Sequence, residues 1–286
     1  MPDCAIRPDT PAIADGPAAW QARLNLGFAD DMGTTRLVER SHSGPLRVQK
    51  PLYPEGGAVC HAIVVHPPGG VVGGDELDIA AHVGARAQAF LTTPGAAKWY
   101  KANGKVSRQH VRLDVAAGAA LEWLPQETIF FDQARVDLDH SITLAGDASY
   151  VGCEILCMGR RASGERFNSG RIVQRTQIRR AGKLLWWEQG ALDPAALRSP
   201  FGLDGRSTCA TLIAAGAPLP AAVLAEIRND FADDMQFGAS QVKGVFVARH
   251  LGDDSEAARE IMLGVWRRVR PHLLGRAAVV PRIWRT

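Results

Sequence analysis

The sequence predicts an all-β fold, and three observations carry that reading. Hydrophobicity alternates with a period of two along several long segments. Turn-forming Gly, Pro, Asn or Asp separates most of these segments. Only two stretches repeat with the period of a helix.

The elements follow in order. Trp20, Ala22, Leu24, Leu26 and Phe28 alternate with Gln21, Arg23, Asn25 and Gly27, as in a strand with one buried face and one wet face. Leu77, Ile79, Ala81 and Val83 repeat the pattern, as do Val111, Leu113 and Val115. So do Val136, Leu138, His140, Ile142 and Leu144. Shorter apolar runs at 62–65, 89–92, 151–156, 184–187 and 244–248 also read as strands. In 219–231, Leu219, Val223, Ile227 and Phe231 recur every four residues, with Pro220 suited to a first helical turn. In 254–270, Ala258, Ile261, Met262, Val265 and Val269 form one stripe. Asp253 with Glu256 reads as a capping box there, and Pro271 as the stop. Strands do not alternate with helices, which disfavours a doubly wound sheet. No fixed-period repeat and no long linker divides the chain. Residues 1–15 read as a loose tail and 16–286 as a single β-rich domain.

Composition narrows the function classes. The 286 residues carry 33 Lys and Arg against 30 Asp and Glu, a net charge of +3. That is too near neutral to predict nucleic-acid binding. No secretory signal and no apolar run of spanning length is present, so a soluble protein is expected. The five cysteines show no C-x-x-C pair and read as reduced thiols in a cytoplasmic protein.

The motifs offer chemistry but no closed site. HPPGGVVGGD (66–75) lacks the Gly-Lys-Ser/Thr and following helix of a phosphate loop, and Asp75 would repel phosphate. It reads either as a strand corner or as a loop that presents Asp75 on a functional surface. LTTPGAAKWYKANGK (91–105) groups Lys98, Lys101 and Lys105 with Trp99 and Tyr100, a solvated surface or a protein interface. EWLPQETIFF (122–131) places Glu122 and Glu127 around an apolar centre. GRRASGERF (159–167) carries Ser163 but is not the G-x-S-x-G elbow of a nucleophile. Cys60, His61 and His66 could touch a soft divalent metal, yet no tight ligand spacing accompanies them.

In order along the chain, SHSGPLRVQKPLYPEG (41–56), HPPGGVVGGD, TTPGAAKWYK (92–101), EWLPQETIFF, GRRASGERF, VRPHLLG (269–275) and PRIWRT (281–286) resemble the blocks of the urease accessory protein UreD family, also called UreH. The resemblance covers nearly the whole chain. It implies an irregular β-helix-like scaffold with about two α-helices near the C-terminal third. It also implies a non-enzymatic role, that of joining UreF, the GTPase UreG and the urease apoprotein while nickel is inserted. GTP would be bound by UreG and not by this chain. No cofactor would be held tightly, and Ni²⁺ would be in transit through an internal passage, with no nucleic acid or membrane as partner. Transit needs sites weak enough to release an ion, which isolated carboxylates with water supply better than a Cys/His cage. Asp75, after the Gly-Gly pair, is the first passage candidate, followed by Glu76, Glu127 and Glu165. The competing reading is a metal-dependent hydrolase built on His66, Asp75 and Glu127.

Overall fold

The computed structural model describes residues 19–285. The expected loose tail at 1–15 lies outside the described residues. The chain opens on an antiparallel hairpin of β1 (Gln21–Asp31) and β2 (Thr34–Ser43), then the short β3 (Arg47–Val48). It next winds through β4 (Val59–Val65), β5 (Glu76–Val83), β6 (Gln88–Thr92), β7 (Ala97–Trp99), β8 (Ser107–Val115), β9 (Ala120–Trp123), β10 (Thr128–Phe130), β11 (Arg135–Leu144), β12 (Ser149–Met158) and β13 (Arg171–Arg180). The remainder comprises β14 (Lys183–Leu192), α1 (Pro194–Arg198), β15 (Thr208–Ala215), α2 (Ala221–Asp230), β16 (Phe237–Val242), β17 (Val245–Gly252) and α3 (Ser255–Leu274).

Between β4 and β13 the main strands fall alternately on two facing sheets. Sheet one runs β14-β13-β11-β8-β5-β1-β2, and sheet two runs β16-β17-β15-β12-β9-β6-β4-β3. Within the winding region neighbours are parallel, as stacked coils require. Antiparallel pairs, β1 with β2 and β13 with β14, finish sheet one at its two ends. This is the irregular β-solenoid that the resemblance implied. The coils are unequal in length: positions 61, 90, 122 and 151 stack in register on sheet two. Unequal spacing of that kind leaves no fixed period in the sequence.

Two apolar cores result. One fills the space between the sheets, with Leu24, Ile79, Val111, Leu138, Leu91, Leu121 and Leu156 fully or nearly buried. The other lies between the back of sheet two and α2 with α3, around Phe90, Val151, Ile155, Leu212 and Trp266. The strand β12 is therefore covered on both faces: Tyr150, Leu156 and Met158 enter the first core, and Val151, Cys153 and Ile155 the second.

The long alternating strands lie where their period placed them. Trp186 and Trp187 part as adjacent strand residues must: Trp186 leans on the core, and Trp187 is 53% exposed. Three expectations need correction. A third, five-residue helix, α1, carries no periodic signal in the sequence; Asp193 caps it, accepting from the Ala195 and Ala196 amides, with Pro194 in its first turn. The cap of α3 is Asp254, which accepts from the Glu256 and Ala257 amides, while Asp253 turns to Arg206 and Ser207. Pro271 does not stop α3. It sits inside the last turn, and Gly275, at φ +68°, ends the helix by donating to the Pro271 carbonyl. Among the described residues no helix is long and apolar enough to cross a membrane.

Candidate functional site

The stretch HPPGGVVGGD forms the corner between β4 and β5, and its glycines have a steric reason. A Cβ on Gly73 would lie 1.8 Å from the Ala102 carbonyl oxygen, and one on Gly70 would lie 2.3 Å from the Tyr100 ring. The corner is thereby pressed against the end of β7 and the residues after it, and Val71 bridges to Trp99. Asp75 is buried, and both its oxygens are used. Oδ1 accepts from the Trp20 amide at 2.9 Å and Oδ2 from the Val72 amide at 3.1 Å. The carboxylate ties the corner to the start of β1.

Behind this corner a cavity of about 210 Å³ penetrates between the sheets. Its walls are mostly apolar, but His66, Gln109, Gln126 and Glu154 bring polar groups into it. Three ring nitrogens of residues that line it, His66 Nε2, Trp99 Nε1 and Trp123 Nε1, are buried and have no hydrogen-bond partner among the described residues. Buried polar groups beside open space are the ones that solvent satisfies, and the volume admits several waters. Burial pushes the His66 pKa below its usual value, with the Asp75 charge acting the other way, which favours the neutral, metal-competent imidazole.

Glu154, on β12, lines this cavity and also a second, smaller one of about 30 Å³. The second space is walled by His140, Tyr150, Gln174, Thr176 and Glu188. His140 Nδ1 lies 2.7 Å from Glu154 Oε1, and the Gln174 amide donates to Glu154 Oε2. His140 Nε2 is buried without a partner among the described residues. Burial alone would lower the His140 pKa; the Glu154 charge and hydrogen bond, with Asp139 behind, outweigh it and raise it. Two spaces between the sheets thus share Glu154 as a wall.

A different polar cluster lies on the other side of sheet two. Arg270 of α3 is fully buried between Glu55 and Glu122, at 2.7 Å and 2.9 Å. Glu55 also meets His61 Nε2 at 2.7 Å, and Glu122 accepts from Trp266 Nε1 at 2.7 Å. Burial works to raise the Glu55 pKa, but His61 and Arg270 reverse it and hold the carboxyl below its usual range. The same guanidinium donates to the Ala277 carbonyl, which anchors the C-terminal segment. There Trp284 packs near Phe90 and Trp266 and donates to Thr92 Oγ1 at 2.9 Å.

The four carboxylates singled out from the sequence do not converge. Glu76 lies on β5, half-exposed, 3.2 Å from Arg108. Glu127 is buried and paired with Arg259 of α3; its neighbours Gln126 and Thr128 line the cavity and it does not. Glu165 grips Arg160 through both oxygens at 3.0 and 3.2 Å, and that pairing, against some burial, lowers its pKa. His66, Asp75 and Glu127 likewise form no ligand set. Among the described residues no three His, Cys, Asp or Glu side chains are placed to hold a metal ion together. Sequence reasoning missed Glu154 and Gln174 altogether. It placed His140 in the inward stripe of β11 without giving it a role.

Comparison with known proteins bears on this geometry. The family model described as "UreD urease accessory protein" matches residues 21–285. A protein of Janthinobacterium sp. (strain Marseille) named "Urease accessory protein UreD" is 62% identical over 271 residues, covering 93% of this chain and 92% of the relative. A protein of the same name from Nitrosospira multiformis is 54% identical, covering 93% and 98% of the two chains. Another from Nitrosococcus oceani is 48% identical, covering 94% and 92%.

Proposed function

The chain belongs to the UreD urease accessory protein family, and from that premise we propose that it is a non-enzymatic scaffold of the cytoplasm that conducts nickel to urease. In this reading it joins UreF, UreG and the urease apoprotein. UreG supplies GTP hydrolysis, and Ni²⁺ is cargo that crosses the space between the two sheets.

The observation that supports a route is the meeting of two inter-sheet cavities at Glu154. The donors along it suit passage. The neutral imidazole of His66 stands at the corner loop, Gln109 and Gln126 offer amides, and Glu154, hydrogen-bonded to His140, offers a carboxylate oxygen. These donors come singly or in pairs, and Ni²⁺ held by one or two protein atoms plus water exchanges faster than in a closed cage. Asp75 enters through its charge on His66, since its own oxygens are engaged. Glu76, Glu127 and Glu165 are neutralised by arginines and contribute less.

Glu154→Gln tests the route. It keeps the volume and the hydrogen-bonding reach but removes the charge. The variant is expected to fold, to co-purify with UreF and UreG as wild type does, and to activate urease about tenfold less at limiting nickel. Full activation by a folded, partner-bound Glu154→Gln chain, across the whole range of nickel concentration, would remove this residue and this route from the reading.

A further inference from the structure

Two motifs far apart in the sequence, KWYK and GRRASGERF, come together in space. Lys98 and Tyr100, Phe131, the 159–163 turn, Thr208 at the start of β15, and Asp253 and Ser255 at the start of α3 line a cleft of about 500 Å³. A second cleft of about 170 Å³ adjoins it, lined by Arg161, Arg166, Arg198 and Arg206. Arg161 belongs to both.

The charge of this surface is lopsided. Six cations, Lys98, Arg160, Arg161, Arg166, Arg198 and Arg206, line the two clefts, and Asp253 is the only acid among the lining residues. Asp253 is already shared by Arg161 at 3.5 Å, Arg206 at 3.4 Å and the Ser207 amide and hydroxyl. Glu165, just outside, is consumed by Arg160. Lys98, Arg166 and Arg198 form no ion pair and no side-chain hydrogen bond among the described residues, and all three are exposed. The Arg206 Nε–H is buried with no acceptor among the described residues. Exposed cations without partners gain little for the fold, whereas an acidic ligand would meet several at once.

The aromatic arrangement selects among acidic ligands. Tyr100 and Phe131 pack edge to face at 4.7 Å, and Arg160 covers the Phe131 ring at 4.3 Å. Trp99 is buried. The rings are thus spent on one another, which leaves no stacking platform for nucleic-acid bases. Two joined clefts with cations spread along both fit a chain of carboxylates better than one compact anion. We propose that these joined clefts bind an extended acidic peptide segment of a protein partner. This goes beyond the nickel-carrying reading and stands or falls without it.

The test uses a dye-labelled hexaglutamate peptide and the full chain, followed by fluorescence anisotropy. Lys98→Glu/Arg166→Glu/Arg198→Glu reverses the three cations that form no ion pair and no side-chain hydrogen bond among the described residues. Arg40→Glu/Lys183→Glu/Lys243→Glu makes the same change in net charge at exposed sites on β2, β14 and the β16–β17 turn. Circular dichroism confirms folding of both. The cleft variant is expected to lose at least tenfold in affinity and the control less than twofold, with wild-type binding weakened by added salt. No binding by wild type, or equal loss in both variants, overturns the proposal. Pyrophosphate or a single-stranded oligonucleotide binding as tightly as the peptide, with the same sensitivity to the cleft variant, overturns it too, because the surface would then be a general anion site.

Discussion

The two buried polar clusters on either side of sheet two differ in one respect that separates structure from chemistry. Around Arg270 the main acceptors and donors face protein partners: two carboxylates, an imidazole, an indole and a backbone carbonyl close the set. Around Glu154 the set is open. His140 Nε2 has no hydrogen-bond partner among the described residues, and the carboxylate lines two cavities. A closed network holds a fold in one arrangement. An open one beside solvent space keeps capacity for something else. Each cluster pairs a carboxylate with a histidine at 2.7 Å, so that pairing alone would not have told them apart.

The sharpest way to break this contrast is Arg270→Met. The substitution leaves Glu55 and Glu122 buried without their common cation, and loss of one partner of such a pair costs about 3–5 kcal/mol. Urea denaturation should show a loss of that size, together with earlier protease cleavage near residue 277 as the C-terminal anchor goes. A loss below about 1 kcal/mol would mean that the cluster does not hold α3 to sheet two.

Asp75→Ala comes next, and it tests whether the corner belongs with the closed cluster or the open one. Removing the carboxylate strands the Trp20 and Val72 amides, for which a cost of about 1–3 kcal/mol is expected from unpaired buried donors. Thermal unfolding should register it, and Asp75→Asn, which retains one acceptor oxygen, should lose less. If both variants kept full stability yet failed to support urease activation, Asp75 would belong to the route itself.

How much of this was legible in the sequence depended on whether a strand had one buried face or two. Strands β1, β5, β8 and β11 alternate cleanly because their outer face is wet, so the inward position of His140 could be read directly from Val136 to Leu144. Strand β12 is covered by the other sheet on one face and by helices on the other. It therefore reads as a continuous apolar run in which nothing marks the side on which Glu154 falls. Strand β2 was invisible for the opposite reason: an edge strand exposed along most of its length has no hydrophobic pattern to show. The Arg270–Glu122 pair joins residues 148 positions apart, and no local spacing encodes it. Carboxylates chosen for their place in motifs, Asp75, Glu76, Glu127 and Glu165, proved to be held by nearby amides or arginines. Motif position reports a constrained backbone at least as readily as a reactive group.

The smallest predicted effect is a pH dependence, and it bears on the open cluster alone. His140 faces Glu154 directly, with Asp139 beside it on β11 and Tyr150 and Glu188 across the small cavity. Its folded pKa is raised, because the Glu154 interaction outweighs burial. A raised imidazole pKa gives stability that is present in full below the unfolded value of about 6.5 and is lost as pH climbs through the folded value. The stability advantage of wild type over His140→Gln should therefore shrink as pH rises above about 6.5, by at most about 1.4 kcal/mol per pH unit. The His61–Glu55 and His250–Asp234 pairs are common to both proteins and cancel in the difference. Urea titrations of the two at intervals between pH 6 and 9 would measure it. An advantage that grew with pH would show that burial prevails and the imidazole is neutral, making His140 a better nitrogen donor to a passing cation and a weaker partner for Glu154.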